Sequence, residues 1–293
     1  MGALMDLEKL RLARSLYYQC LGELFVFSFS EERLSKLQEY LKTMQECLFD
    51  ENLKSNFDIL LKHLDDENSI QAFFKEYDLL FLSLKNSIPT TFSYIEEGFE
   101  NSNPLLCVRQ ILVKSKIRRN EKFFKESEDS VGFCLLLMSE FLRQNEDDLA
   151  KELFEKVINK SIDEFLGDVF MNKNANLYKE IASIALAFME FERLCFEVEK
   201  PAKINSKKVT KRSIAFRIFK KRSQINKGGL VKNRREFLKK SAFALGAAGV
   251  LGSTTLALAK DEERKDLVKG KSKKKEVLFQ RSANWENYYI KAE

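Results

Sequence analysis

Residues 131–142 read Val-Gly-Phe-Cys-Leu-Leu-Leu-Met-Ser-Glu-Phe-Leu, an almost uninterrupted apolar run. Only Ser139 and Glu140 are polar, so apolar side chains would surround a helix on nearly every side. A helix that is apolar all round belongs inside a protein. We therefore expect residues 131–142 to form the central helix of a bundle.

The sequence on both sides of this stretch repeats apolar residues every three to four positions, which is the period of an amphipathic helix. Only two prolines, Pro89 and Pro104, occur in the first 200 residues. The sequence therefore predicts an all-α, helical-bundle domain of about eight helices at residues 1–200. The other predicted helices are Leu7–Phe27, Glu31–Leu48, Leu53–Leu64, one that starts after Ser69, one opened by Asn103-Pro104, Glu146–Met171 and Ala175–Glu197.

Charge divides the chain into two parts. Residues 1–200 carry 25 Lys and Arg against 36 Asp and Glu, whereas residues 201–293 carry 25 against 8. Residues 201–230 are basic with few large apolar side chains, which predicts a disordered linker. Residues 260–293 are too few for a core of their own, so we expect a short, basic and largely disordered tail. The acidic domain argues against nucleic acid as a partner and favours attraction to basic segments.

The residues that support catalysis and metal binding are scarce. His63 is the single histidine, and the five cysteines are scattered with no Cys-x-x-Cys pair. This composition argues against a zinc site or a histidine-based triad, and it is typical of reduced core thiols in the cytoplasm. No glycine-rich phosphate loop occurs either. The sequence predicts no enzyme activity, no metal and no cofactor.

Residues 231–259 have the pattern of a twin-arginine export signal. A basic start at Asn233–Lys240 precedes a mildly apolar stretch rich in Gly and Ala, which ends in Ala-Leu-Ala. Such a signal is an address that a receptor reads. The alternative is that residues 242–259 form a membrane anchor, although their glycines, serine and threonines make a weak span. The motif residues are Arg234, Arg235, Phe237, Leu238 and Lys239, and Ala257 and Ala259 mark the predicted cleavage site.

Residues 5–198, approximately, resemble the TorD family of molybdoenzyme maturation chaperones. The run Glu76–Phe81 is similar to the family's Glu-Tyr-x-Arg-Leu-Phe, with Leu79 in place of Arg. A proline-led loop follows, from Ile88-Pro89 through Ser93-Tyr94 to Glu97-Gly98, and Asp129 and Met138 match the ends of a third family motif. The resemblance implies an all-helical cytoplasmic chaperone. Such a chaperone binds the twin-arginine signal or the apoenzyme of a molybdopterin oxidoreductase and delays export until the cofactor is inserted.

Residues 231–293, approximately, resemble a small twin-arginine protein associated with formate dehydrogenase, through Arg234–Lys239 and Arg281–Glu286. This resemblance implies formate dehydrogenase as the client and the twin-arginine translocase as a second partner. Lys227-Gly228-Gly229 can be encoded by a ribosome-binding sequence and Val231 by a GUG start codon. We therefore hypothesise that two neighbouring reading frames are fused, which the coding DNA at 227–231 would test, and that the internal signal does not function in export.

A chaperone for such a signal needs an acidic rim beside an apolar groove. The alternative is that these residues have no role in binding: the aromatic candidates would be core residues, and the acids would lie at solvated helix ends. The linker would let the domain bind its own tail or exchange it with a second copy in a swapped dimer. The rival function is a membrane-tethered adaptor that residues 242–259 anchor in the lipid. The signal-binding candidates are Glu76, Tyr77, Asp78, Phe81, Pro89, Ser93, Tyr94, Glu97, Glu128, Asp129 and Met138, with Phe92 and Glu96 beside them.

Overall fold

Helices make up nearly all the regular structure of the computed structural model, which describes residues 2–26, 31–64, 67–84, 86–122, 124–201 and 267–269. The predicted all-α class is confirmed. The α-helices are α1 (Gly2–Phe25), α2 (Glu31–Glu46), α3 (Lys54–Leu64), α4 (Glu67–Tyr77), α5 (Phe92–Glu97), α6 (Asn103–Lys114), α7 (Val131–Arg143), α8 (Asp147–Leu153), α9 (Asn159–Met171) and α10 (Leu177–Phe196). Two short strands, β1 (Ile117–Arg119) and β2 (Leu267–Lys269), pair with each other.

The central helix predicted from residues 131–142 is α7, and it lies antiparallel against α1. Two glycines allow the close approach: a Cβ on Gly132 would lie 2.6 Å from Val26 Cγ2, and one on Gly22 would lie 2.8 Å from Leu136 Cγ. Ser15 and Ser139 each donate their hydroxyl to the other's carbonyl oxygen, at 2.9 and 2.8 Å. Because small residues meet at this crossing, the helix backbones can come close together. The two serine hydrogen bonds satisfy the polar groups that are buried there.

Aromatic rings fill the space between α10 and the helices around it. Tyr178 stacks on Phe73 of α4 with ring centroids 5.1 Å apart, and its hydroxyl donates to the carbonyl oxygen of Leu24 at 2.7 Å. Phe188 stacks on Tyr17 of α1 at 5.0 Å. Buried aromatic rings with satisfied hydroxyls contribute strongly to core stability.

A buried ion pair joins the two ends of the domain's sequence. Arg14 of α1 donates Nε and Nη2 to the Glu192 carboxylate of α10 at 2.7 and 2.8 Å, and Tyr18 donates its hydroxyl to the same group at 3.0 Å. The Arg14 guanidinium also lies 4.3 Å from the centre of the Phe196 ring. Both charges are thus compensated, which is the condition under which a buried pair is tolerated.

The structure departs from the predicted helices in particular places. The predicted helix Glu146–Met171 is divided into α8 and α9 by a π-helical turn at Phe154–Ile158, and a second π-helical turn, Asp78–Leu82, extends α4. The short helix α5 and the strands were not predicted. Among the described residues, no helix is long and apolar enough to cross a lipid bilayer.

Most of the predicted linker, signal and tail lies outside the described residues. This holds for residues 202–266 and 270–293, and so for all the motif and cleavage residues named above. The described residues of this region are Pro201 and the three residues of β2.

Candidate functional site

The short helix α5 presents acidic and aromatic side chains to solvent. It is stopped by Gly98, which has φ +86° and donates its N–H to the Tyr94 carbonyl oxygen at 2.9 Å. A left-handed glycine is a common helix stop because it has no Cβ. Tyr94 is 45 % exposed, and Glu96 and Glu97 are exposed on the same helix. Phe99, which directly follows the stop, is 57 % exposed.

The helix α6 adds apolar surface next to α5. The Ser102 N–H donates to Ser93 Oγ at 3.2 Å, which brings the start of α6 against the start of α5. Leu106 is 55 % exposed and Val113, two turns further along the helix, is also exposed. The five side chains of Tyr94, Glu96, Glu97, Phe99 and Leu106 are called the α5–α6 surface below.

A buried carboxylate holds α5 in place. Asp129, which has no exposed surface, accepts the Ser93 N–H on Oδ2 at 2.9 Å and the Ser127 hydroxyl on Oδ1 at 2.5 Å. Its carbonyl oxygen accepts the Phe92 N–H at 2.9 Å. These bonds satisfy N–H groups in the first turn of α5, which have no partner within the helix. Asp129 and Ser93 are therefore positioning residues and do not themselves reach the surface.

Glu96 and Glu97 place two carboxylates next to each other on the α5–α6 surface. Desolvation by the surrounding protein raises the pKa of Glu96 above its ordinary value, the Lys160 ammonium acts in the opposite direction, and the Glu97 carboxylate adds to the rise. Lys160 Nζ lies 3.9 Å from Glu96 Oε1, at the limit of an ion pair. A partly desolvated carboxylate next to a like charge gains stability when a further cation approaches.

The structure places several of the predicted site residues in structural roles. Glu76 is buried, and its carboxylate accepts three backbone N–H groups at the start of α10. Tyr77 and Phe81 lie in the core, where their ring centroids are 4.9 Å apart, and Met138 is buried in α7. Pro89 is half-buried.

The remaining predicted residues lie at the surface or next to it. Glu128 accepts Arg109 Nε at 2.7 Å and so joins the segment before α7 to α6. Asp78 is exposed at the start of the π-helical turn after α4. On α5 the structure exposes Tyr94, Glu96 and Glu97, whereas the candidates Phe92 and Ser93 of the same helix are buried.

Exposed apolar residues are the part of the site that sequence reasoning missed. Leu106 and Val113 lie outside the buried stripe of α6, which consists of Leu105, Val108, Ile111 and Leu112. Their offset from that stripe was visible in the sequence and indicated a second apolar face. Phe99 gave no such signal because it lies in a turn. Leu79, at the position where the family's run has Arg, is exposed as well.

Three of the five cysteines are buried in the core, and Cys107 and Cys195 are half-exposed. Burial raises the pKa of the Cys20, Cys47 and Cys134 thiols, so these thiols are protonated and unreactive. All five cysteines are free. In the part of the chain that the structure describes, no group of His, Cys, Asp or Glu could hold a metal ion.

Residues 31–170 match the family model of the nitrate reductase delta subunit. Proteins of this family are maturation chaperones of molybdoenzymes and are not catalysts. The match begins with α2 and ends one residue before the end of α9, so it contains the whole α5–α6 surface. It agrees with the resemblance to the TorD chaperones, whereas the twin-arginine segment lies outside it. No curated protein matches the chain in sequence.

Proposed function

We propose that this protein is a non-catalytic cytoplasmic chaperone that binds the twin-arginine signal of a molybdopterin oxidoreductase and delays export until the cofactor is inserted. The observation that carries the proposal is the α5–α6 surface, which lies within the matched segment and combines two carboxylates with exposed aromatic and aliphatic side chains. Binding of the client's apoenzyme through the same surface belongs to this proposal.

The chemistry of the surface complements that of the signal. A twin-arginine signal has two guanidinium groups directly before an apolar stretch, as in Arg234-Arg235 followed by Phe237-Leu238. Arginine forms forked, charge-assisted hydrogen bonds with carboxylates. Glu96 and Glu97 can therefore receive the arginines while Tyr94, Phe99 and Leu106 contact the apolar part, as an amphipathic peptide does in a groove.

Formate dehydrogenase is the proposed client. The support is the resemblance of residues 231–293 to a small protein associated with that enzyme, through Arg234–Lys239 and Arg281–Glu286. The twin-arginine translocase is the proposed second partner, which would read the signal once the chaperone releases it.

The test is binding of a fluorescent peptide with the sequence of residues 231–260 to the full chain carrying Arg234→Lys and Arg235→Lys. These two substitutions weaken competition from the chain's own signal. Adding Glu96→Gln and Glu97→Gln should weaken peptide binding at least about five-fold, since two partly exposed ion pairs contribute about 1–2 kcal/mol. The same peptide with Lys at both Arg positions should bind more weakly as well.

The matched control removes two negative charges elsewhere. Glu8 of α1 and Glu39 of α2 are exposed, and Glu8→Gln with Glu39→Gln should change peptide binding less than about two-fold. Equal losses in the two double variants would show that only net charge matters. No binding to any variant would overturn recognition of the signal by this domain.

The rival function is a membrane-tethered adaptor anchored by residues 242–259. The sequence feature that favours it is the run of small and apolar residues between lysine-rich flanks. Carbonate washing of membranes separates the two functions, because an anchored adaptor stays with the lipid and a chaperone is released.

A further inference from the structure

The strand β2 lies in the tail, far along the chain from the helical domain, yet it pairs with that domain. It runs antiparallel to β1, with Ile117 opposite Lys269, Arg118 opposite Val268 and Arg119 opposite Leu267. The partner strand β1 begins three residues after the end of α6, which carries part of the α5–α6 surface. The pairing therefore attaches the tail beside the C-terminal end of α6, which is eight residues, or about 12 Å, along this helix from Leu106.

The strand β1 is held in an extended shape by its own side chains and neighbours. Ile117 is buried in the core, and its N–H donates to Ser115 Oγ at 3.2 Å. Arg118 folds back and donates Nη1 to the carbonyl oxygens of Leu112 and Ser115 at the end of α6. Arg119 donates Nη1 to the Glu126 carbonyl oxygen at 2.6 Å. An edge strand that is already ordered loses little entropy when it binds a second strand.

The pairing is short, and this makes it reversible. A backbone hydrogen bond contributes about 1 kcal/mol net, and an isolated two-stranded ladder is marginal in water. Three residue pairs would not hold two separate molecules together. Covalent linkage raises the effective concentration of β2 at β1 above that of a separate molecule, and this favours pairing within one chain.

We propose that β1 and β2 form an intramolecular latch that keeps the chain's own export signal within reach of the α5–α6 surface. With the latch formed, the chain is attached to the domain on both sides of the signal at 231–259, at Pro201 and at Leu267. Ala259 precedes β2 by eight residues, which span at most about 26 Å. Residues 1–200 are acidic overall, but β1 is basic through Arg118 and Arg119, so the pairing rests on backbone contacts and not on charge. This inference rests on the proposed function for the role of the surface, whereas the pairing itself does not.

The pairing is tested by disulfide formation in the full chain. The two half-exposed cysteines, Cys107 and Cys195, are replaced by Ser to remove competing thiols. Arg118→Cys with Val268→Cys should then form an intramolecular disulfide on mild oxidation, because directly opposed residues lie within disulfide reach. Arg118→Cys with Lys274→Cys is the control, since Lys274 lies six residues beyond Val268 and is not opposed to Arg118 in the pairing.

A second pair keeps this test valid if loss of the Arg118 contacts harms folding. Arg119→Cys with Leu267→Cys should form the same kind of disulfide, which a non-reducing gel and peptide mapping would detect. Equal oxidation of the opposed and displaced pairs would overturn the pairing. A covalent dimer in place of the intramolecular product would overturn its occurrence within one chain.

The role of the latch is tested separately with Val268→Pro, which removes a backbone donor from the middle of β2. Binding of the labelled 231–260 peptide to the full chain with Arg234 and Arg235 intact should tighten about three- to ten-fold, because the chain's own signal competes less. Val277→Pro, outside β2, is the control and should leave binding unchanged. If the disulfide forms but Val268→Pro has no effect, the latch role is wrong, while the dependence on Glu96 and Glu97 still decides the proposed function.

Discussion

The Glu76 carboxylate of α4 caps the first turn of α10, where Oε1 accepts the backbone N–H of Tyr178 at 2.8 Å. Oε1 also accepts the Asn176 N–H at 2.8 Å, and Oε2 accepts the Leu177 N–H at 3.1 Å. The first N–H groups of a helix have no partner inside it, and the helix dipole favours a negative charge at that end. Glu76 therefore joins two helices that are about 100 residues apart in sequence.

Glu76→Ala should lower the free energy of unfolding by about 2–4 kcal/mol, because it leaves buried N–H groups without an acceptor. Glu76→Gln keeps one acceptor oxygen and should cost less. Asp78→Asn is the control, since Asp78 is exposed two residues away, and it should change stability by less than about 0.5 kcal/mol. Urea unfolding measures all three. A loss for Glu76→Ala no larger than that for Asp78→Asn would contradict the capping role.

The sequence predicts what depends on local patterns and misses what depends on distant partners. The nearly uninterrupted apolar run at residues 131–142 was enough to predict α7 as the central helix, because in a bundle a helix that is apolar all round is stable only inside. The role of Glu76 could not be predicted, because its acceptor function depends on N–H groups about 100 residues away. In the same way, nothing local distinguishes Tyr77 and Phe81 in the core from Tyr94 at the surface.

Element boundaries were missed where backbone geometry changes without a change of pattern. Apolar residues continue through Phe154–Ile158, so the π-helical turn that divides α8 from α9 leaves no mark in the sequence. The helix α5 has only six residues, too few to show a helical period. Three of the five residues of the α5–α6 surface lie on α5. The motif resemblance located that region, and the structure determined which side chains are exposed.

The crossing of α1 and α7 should not tolerate a methyl group at Gly132. A Cβ there would lie 3.1 Å from the backbone carbonyl of Phe25 and closer still to Val26, and backbone cannot move aside cheaply. Gly132→Ala should therefore lower the thermal midpoint and cost about 1–3 kcal/mol. Gly167 of α9 is the matched control, because a Cβ there meets nothing within 4 Å. Gly167→Ala should be neutral or stabilising by up to about 1 kcal/mol, and equal losses at both glycines would contradict the steric argument.

Acid should weaken the attachment of the domain's last residues to α9. Burial alone would raise the pKa of Asp163, but Arg193 and Lys200 outweigh it and hold the pKa below its ordinary value. A group with a lowered folded-state pKa contributes stability above its unfolded pKa, about 3.9, and loses it as pH falls through the folded value. Asp163→Asn should therefore be less stable than the wild type at pH 6, and the difference should shrink at pH 3. Lys200→Met removes one of the two cations beside Asp163. The loss of stability between pH 6 and pH 3 should therefore be smaller in this variant than in the wild type. Urea unfolding measures these stabilities. A difference in the free energy of unfolding between wild type and Asp163→Asn that is the same at pH 6 and at pH 3 would contradict the linkage.

Asp129 should affect signal binding without touching the signal. Its carboxylate and carbonyl oxygens hold the Ser93 and Phe92 N–H groups, so they fix the first turn of α5. Asp129→Ala removes the side-chain acceptor and should speed hydrogen exchange of the Ser93 amide about ten- to hundred-fold, which corresponds to about 1.4–2.8 kcal/mol. Asp129→Asn keeps an oxygen for the Ser93 N–H and should restore most of the protection.

Peptide binding separates positioning by Asp129 from a purely structural role. Loosening of α5 moves Glu96 and Glu97 away from a fixed geometry, so Asp129→Ala should weaken binding of the 231–260 peptide, and Asp129→Asn should bind nearly as the wild type does. Glu128→Gln is the neighbouring control; it removes a surface pair with Arg109 and should leave exchange of the Ser93 amide unchanged. If Asp129→Ala exposes the Ser93 amide while peptide binding stays the same, the signal does not bind through α5.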